Sequence, residues 1–322
     1  MRVAIVGGGV IGLLHAITFA RSPLIKEVCL FAKDDPLETT SVVAGAIWMP
    51  YKVEPKGKAV KWAARSIALF REYADTPDTG VAFRTHTEFF NKKANKPEWM
   101  NAASDGEPIE CQIPEETETT FSVKIPVIDT VKFMSFLFNA ATRLGVHITK
   151  QKILDFNELE GFDIIINAAG VGAGELTNDP AVFPIKGQTF TIAQPEQKIN
   201  QSVFYDDGEL VTLIAPHENH IRIGVTARDN DTSTNYDMAM EERLLASISR
   251  FYPQLADAEV LERRVGHRPG RTGGIRLEKE YNERLGKWVF HNYGHAGGGI
   301  ALAPACVEEL SDEVFKSISA RL

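Results

Sequence analysis

Residues 2–12 impose the tightest constraint on what this chain folds into. Arg2-Val3-Ala4-Ile5-Val6 is a short apolar run rich in β-branched residues, which reads as a buried parallel strand. Gly7-Gly8-Gly9-Val10-Ile11-Gly12 follows at once, and Leu13-Leu14-His15-Ala16-Ile17 begins a helical pattern. A strand, a glycine turn and a helix in that order suit a pyrophosphate. Gly7 permits the turn, Gly9 lets phosphate approach the backbone, and Gly12 lets helix and strand pack closely. The new helix points free N–H groups at Val10 and Ile11, and the positive end of its dipole, toward the anion. A merely structural glycine turn is the bland alternative.

The chain has 322 residues, enough for one large or two medium domains with ample core. Its formal net charge of −8 leaves no basic surplus to neutralise nucleic-acid phosphates. The apolar stretch Met1–Ala20 imitates a signal or a membrane span. Four glycines, His15 and Thr18 weaken that reading, and nucleotide binding explains the same letters better. Cys29, Cys111 and Cys306 show no C-x-x-C pair and no metal-ligand spacing. Idle thiols in a reducing, cytoplasmic setting are expected, without a metal and without a membrane. The terminus Ala320-Arg321-Leu322 approximates a peroxisomal address.

Glu27–Ala32 reads as a second strand, and an acidic residue soon after it is expected on an adenosine ribose. Asp34 is the candidate, with a solvated turn carboxylate as the alternative. Thr39-Thr40-Ser41 and the small residues Ala44-Gly45-Ala46-Ile47 suit a ribityl chain, a phosphate or a flat ring against the backbone, or equally a snug helix entry. Residues 52 to about 128 mix a helix with probable strands and read as an inserted region. Asp129 is a candidate helix cap. The run 148–153, ending at Ile153, and the run 162–166 read as strands. The latter leads into Ala169, Gly170 and Gly174, a second approach to a dinucleotide or a plain packed loop. Residues 184–283 hold several strand-like runs around one helix, which suggests a mostly antiparallel sheet for substrate. Residues 288–292 then form a strand, followed by Gly297-Gly298-Gly299 and a helix opening with Ile300 and Ala301. A second helix N-terminus is thus offered near the first.

Five stretches together resemble the FAD-dependent D-amino acid oxidases. They are Val6–Leu13; Thr39–Ser41 with Ala44–Tyr51; Asn167–Gly174 with Asp179-Pro180; Val265-Gly266-His267-Arg268-Pro269 with Ile275-Arg276-Leu277-Glu278; and His291-Asn292-Tyr293-Gly294-His295. The resemblance implies an α/β fold. A discontinuous Rossmann-like FAD-binding domain (1–51, 129–183 and 284–322) would join a mostly antiparallel α+β substrate domain (52–128 and 184–283). It implies that Arg276 forks the substrate carboxylate, since a guanidinium offers paired donors that lysine lacks. It also implies that the Gly297 carbonyl accepts from the substrate amine, and that the backbone at Gly45–Ile47 faces the flavin.

The implied reaction passes hydride from Cα of a D-amino acid to flavin N5. Dioxygen then reoxidises the flavin to give hydrogen peroxide, and the imine hydrolyses to a 2-oxo acid and ammonia. Family members carry tyrosines on a lid and pocket strand, where this chain places Glu209 and Leu213. Met49 stands where a polar residue is often found. A pocket of Met49, Tyr51 and Leu213 favours a neutral or apolar side chain. An inward Glu209 would favour a cationic one, and a solvated turn glutamate is the alternative. A homodimer is compatible with all of this. The competing readings are a related glycine or amine oxidase or dehydrogenase, and a non-catalytic dinucleotide-binding sensor.

Overall fold

A computed structural model describes residues 1–319, so the Ala320-Arg321-Leu322 address lies outside the described residues. β1 (Arg2–Val6), α1 (Val10–Ala20) and β2 (Glu27–Ala32) come first. The short α2 (Thr40–Val43) and the long α3 (Lys56–Ala74) lead to β3 (Val81–Phe90), β4 (Ser104–Asp105) and β5 (Thr119–Ile128). Then come α4 (Thr130–Arg143), β6 (His147–Lys150), β7 (Ile164–Asn167) and α5 (Ala173–Thr177). β8 (Val182–Ala193), β9 (Ser202–Asp206), β10 (Val211–Pro216), β11 (His220–Gly224) and β12 (Arg228–Asp229) follow. After α6 (Met238–Ser249) the chain runs through β13 (Val260–Arg271), β14 (Arg276–Asn282) and β15 (Lys287–Tyr293) into α7 (Gly299–Ser319).

Two sheets result. The first has the order β14-β15-β7-β1-β2-β6. It is parallel except where β14 turns back on β15. From β1 the chain steps to β2 on one side and returns as β7 on the other. That reversal opens a crevice at the carboxyl end of β1, where doubly wound sheets bind ligands, and Gly7–Gly9 sit there. β1 and β7 are buried on nearly every residue, which is why their sequences read as apolar runs and not as alternation. The second sheet runs β12-β8-β11-β10-β9-β3-β5-β4, with β13 also on β8. It is antiparallel except for the β3–β9 pair. β3 and β5 from the inserted region therefore join the strands of residues 182–271 in one sheet.

Three expectations are corrected. β14 belongs to the first sheet, so the boundary placed at 283/284 moves back to about residue 275. The strand-like run Val260–Val265, one of those expected in residues 184–283, extends six residues further as β13, through the two glycines Gly266 and Gly270. The strand expected to reach Ile153 ends at Lys150. Asp129 does cap α4, its Oδ1 accepting from the N–H groups of Val131 and Lys132, each at 3.2 Å.

α1 is buried almost all round. Its His15 sits in the core, with Nδ1 3.2 Å from Ser311 Oγ of α7 and Nε2 2.9 Å from Asn292 Nδ2 of β15. Burial pushes His15 down to about 3, with the His295 charge adding to it, and burial alone takes His295 to about 3. Neither ring nitrogen of His295 has a hydrogen-bond partner. Both histidines are neutral in the folded chain, while an unfolded histidine protonates near pH 6.5. Their contribution is therefore complete above pH 6.5 and is lost progressively as pH falls toward 3. Each costs about 1.4 kcal/mol per pH unit across that window. The urea midpoint should fall between pH 6.5 and 4.5, and the slope should be shallower in a His15→Asn variant. A midpoint flat over that range would contradict the assignment.

Candidate active site

The glycine turn folds as the sequence requires. Gly7 has φ +118°, and a Cβ there would overlap the Ala168 carbonyl. A Cβ on Gly12 would overlap the Gly7 carbonyl, so α1 packs on β1 only through glycine. Gly9 ends the turn as the N-cap of α1 without a capping side chain. Ser41 Oγ accepts from the Val10 N–H at 3.0 Å, bringing residues 39–47 against the start of α1. Thr40 Oγ1 donates to the His267 carbonyl at 3.2 Å, and Thr39 Oγ1 donates to the Pro36 carbonyl at 3.0 Å. Those two hydroxyls tie loops together, and Ser41 is the hydroxyl beside the helix terminus.

The remaining cofactor candidates separate into open and packed positions. Gly170 has φ +59° and nothing within 4 Å of a would-be Cβ, so it faces open space beside the turn. Ala169 adjoins it, its N–H donating to Asn167 Oδ1 at 3.2 Å. Gly174 instead packs on Val182, 3.0 Å from its Cβ. The Ile153 side chain is buried among Phe156 and Leu159, so only its backbone can meet a ligand. Asp34 is exposed just beyond β2, its carboxylate 3.4 Å from Lys33 Nζ. Asp35 caps the next turn by accepting from the Leu37 N–H at 2.8 Å. Ile300 and Ala301 are buried in the first turn of α7. The Val10 N–H, expected to be free, is thus taken by Ser41, and the glycine N-cap, the small-residue floor and the adjacent hydroxyl form a cradle that fits a dinucleotide pyrophosphate.

Tyr51, Leu213, Gly45 and Gly297 converge where the two sheets face each other. A Cβ on Gly297 would lie 2.7 Å from both Tyr51 Cδ1 and the Tyr51 carbonyl. A Cβ on Gly45 would lie 2.9 Å from Leu213 Cδ2. The Tyr51 ring meets Phe204 edge-on, with centroids 6.0 Å apart. Met49 is buried two residues before Tyr51, in the segment that Ile47 pins to Val127 of β5. Glu209 is not part of this cluster. It is exposed at the β9–β10 turn, where its N–H donates to Asp207 Oδ1 at 2.9 Å. The acidic groups whose charge reaches the Tyr51 phenol are Asp206 and Asp229. Burial foremost, with these two acids, pushes that phenol up against the opposing pull of Arg268.

Arg276 is corrected by the structure. It lies on β14, the edge strand of the first sheet. Its Nε bonds Glu278 Oε1 at 2.8 Å, Nη2 bonds Glu280 Oε2 at 2.9 Å, and Nη1 donates to Tyr293 Oη at 2.9 Å. Tyr293 Oη in turn donates to Asp179 Oδ2, which also receives Arg271 Nε at 2.8 Å. Every nitrogen of the Arg276 fork is engaged in a network that ties β14 to β15 and α5. Two carboxylates already share the guanidinium, which weakens its pull on a further carboxylate.

Arg268 has the opposite surroundings. It projects from β13 over Gly187 of β8, where any Cβ would collide with the guanidinium. Nη1 donates to the Thr226 carbonyl at 2.8 Å, and among the described residues no carboxylate stands within ion-pair distance. Burial pushes its pKa down, and only the Tyr51 phenol acts the other way. The side chain is deep yet keeps partial access. A guanidinium so placed, without an acidic partner, has the chemistry to receive an anion. The sequence analysis placed Arg268 in the Val265–Pro269 stretch and gave it no role. Its place two residues from glycine on both sides, at Gly266 and Gly270, is the signal that marks it. Phe204, Gly187 and Thr226 were also missed, because they reach the site only through long-range strand pairing.

Comparison with known proteins identifies the family and the fold. The family model described as DAO, FAD dependent oxidoreductase, matches residues 2–313. A D-amino-acid oxidase of Rubrobacter xylanophilus is 34% identical over 312 residues, covering 96% of this chain and 94% of the relative. A D-amino-acid oxidase of Streptomyces coelicolor is 31% identical, covering 96% and 95%. The solved glycine oxidase of Geobacillus kaustophilus superposes with a TM-score of 0.77 at 21% identity, over 98% of this chain and 95% of that one. The glycine cradle at the start of α1 fits the FAD of that family, and the chain belongs to the FAD-dependent oxidoreductase family named DAO.

Proposed function

We propose that the protein oxidises D-amino acids to 2-oxo acids, releasing ammonia and hydrogen peroxide with dioxygen as oxidant. The observation that carries this is the buried Arg268 guanidinium, which has no acidic partner and lies at the meeting of the FAD cradle and the second sheet. The D configuration follows the names of the two bacterial relatives. FAD, when bound, supplies the hydride acceptor and passes the electrons on.

The chain's own residues bind and orient. Arg268 takes the substrate carboxylate through paired N–H donors, in surroundings where that pairing is far stronger than in water. Tyr51 stays protonated at neutral pH, because burial and Asp206 push its phenol up, so it is a hydrogen-bond donor facing Arg268. The Gly297 carbonyl is the acceptor for the substrate amine. Tyr51, Phe204, Leu213 and Met49 present an apolar wall that suits a neutral or aliphatic stem. The charges of Asp206 and Asp229 reach the Tyr51 phenol and oppose a second carboxylate there, so D-aspartate should be a poor substrate.

A peroxide-coupled assay across D- and L-amino acids and glycine tests the reading. Peroxide with neutral D-amino acids, and none with their L-enantiomers, is expected. Peroxide with glycine alone indicates a glycine oxidase. Flavin reduction without peroxide indicates a dehydrogenase.

A further inference from the structure

One acidic residue of the second sheet remains without a role. The register across β5, β3, β9, β10 and β11 aligns Phe121, Glu88, Phe204, Leu213 and Gly224 in a single transverse row. Residues paired in this way project from one face of a sheet. Leu213 and Phe204 are the members of that row beneath Gly45 and Tyr51. Glu88 is the next member, one strand spacing of about 4.8 Å beyond Phe204 and about 10 Å beyond Leu213. That is the reach of a long side chain whose Cα sits over Leu213.

Glu88 is poorly provided for by the protein itself. Its side chain is 6% exposed. The one basic group within 4.0 Å, among the described residues, is His86 Nε2 at 3.9 Å, beyond hydrogen-bond range. His86 turns Nδ1 to Ser202 Oγ at 3.1 Å and leaves Nε2 buried without a partner. A nearly buried carboxylate without a protein donor must take its hydrogen bonds from water or from a ligand that reaches it. The rim of the pocket has the same sign, since Asp206 follows Phe204 by two residues on β9 and its charge reaches Tyr51. The cluster thus has the Arg268 guanidinium on one side of Tyr51 and the carboxylates of Asp206 and Glu88 along the side-chain wall.

We propose that Glu88 reads the far end of the substrate side chain and selects D-amino acids that end in an ammonium or guanidinium group. The proposal rests on the D-amino acid reading above and deepens it. Arg268 takes the α-carboxylate, the aliphatic stem lies along Tyr51, Phe204 and Leu213 as long basic side chains do on apolar surfaces, and the cationic end meets Glu88. Complementary charges at both ends set which substrate is favoured.

The test compares substrates of equal shape and different charge in the FAD-loaded protein. The kcat/KM for D-arginine should exceed that for D-citrulline by tenfold or more, and D-lysine should similarly exceed D-norleucine. In Glu88→Gln the D-arginine to D-citrulline ratio should collapse to within threefold, mainly through KM. A ratio within one preparation does not depend on how much protein folds. As a binding measure without turnover, 5-guanidinopentanoate should perturb the flavin absorbance of the unaltered protein at tenfold lower concentration than hexanoate. Turnover of D-alanine with D-arginine no better than D-citrulline overturns the proposal and leaves the D-amino acid reading standing. Failure to oxidise any D-amino acid overturns both.

Discussion

Replacing Arg268 with alanine should lower kcat/KM for D-amino acids by about a thousandfold. Removing one partner of a buried charge pair costs about 3–5 kcal/mol, and each 1.4 kcal/mol is tenfold. The free protein should not share that loss. Arg268 is itself a buried charge without an acidic partner, so its removal relieves a desolvation cost, and thermal stability should hold or rise. Loss of turnover with retained stability and retained flavin is the expected combination. Arg268→Lys should recover little, because an ammonium cannot fork a carboxylate. The contrasting variant is Arg276→Ala. It breaks bonds to Glu278, Glu280 and Tyr293 at the edge of the first sheet, and should cost stability while turnover stays within a few fold. Steady-state kinetics and a thermal melt on both variants separate the two roles. The reverse pattern would return the carboxylate to Arg276.

The second large effect is expected at Gly7. An alanine there must adopt φ +118°, outside the range L-residues occupy readily, and its Cβ would overlap the Ala168 carbonyl. The turn cannot shift without disturbing β2 as well, since the Gly7 N–H also donates to the Phe31 carbonyl at 2.8 Å. Gly7→Ala should cost more than about 3 kcal/mol, the size associated with strain at a special backbone conformation combined with overpacking. The purified variant should melt earlier and carry far less flavin per chain than the parent. Gly145→Ala is the matched control. It has φ +78° yet nothing within 4 Å of its would-be Cβ, so it carries the backbone strain without the collision. Equal flavin content in both variants would contradict the reading of the turn.

The nucleotide half of the fold was legible because its signals are local. A buried strand, three glycines and a helix within the first twenty residues specify the β1–α1 turn from short-range sterics alone. The return of the pattern at residues 288–318 likewise identified β15 and α7. The carboxylate site was harder to read, because it depends on which of two nearby arginines faces which sheet. Alternate residues of a strand share a face, so Arg276, Glu278 and Glu280 stand side by side, and the chain offered a means of seeing that Arg276 neutralises itself. Arg268 shares its face with Gly266 and Gly270, which leave its guanidinium room and no acid. That contrast was present in the letters and was outweighed by the neighbouring motif.

Other features were out of reach. Glu88 meets Phe204 only through the parallel β3–β9 pair, which joins strands more than a hundred residues apart. No periodicity reports such a register. The misplaced boundary at 283/284 has the same origin. β14 looks like one more strand of an antiparallel run, and only its pairing with β15 assigns it to the first sheet. Glu209 and Asp206 lie three residues apart in one turn, and which of them approaches Tyr51 is decided by the turn's geometry.

The most direct measurement is anaerobic flavin bleaching, followed by rapid mixing of the FAD-loaded protein with D- and L-alanine, in the parent and in Arg268→Ala. The account predicts rapid bleaching of the parent by the D-enantiomer alone, slowed about a thousandfold in the variant at equal substrate. Bleaching by L-alanine at a similar rate, or a variant that bleaches as fast as the parent, would contradict it.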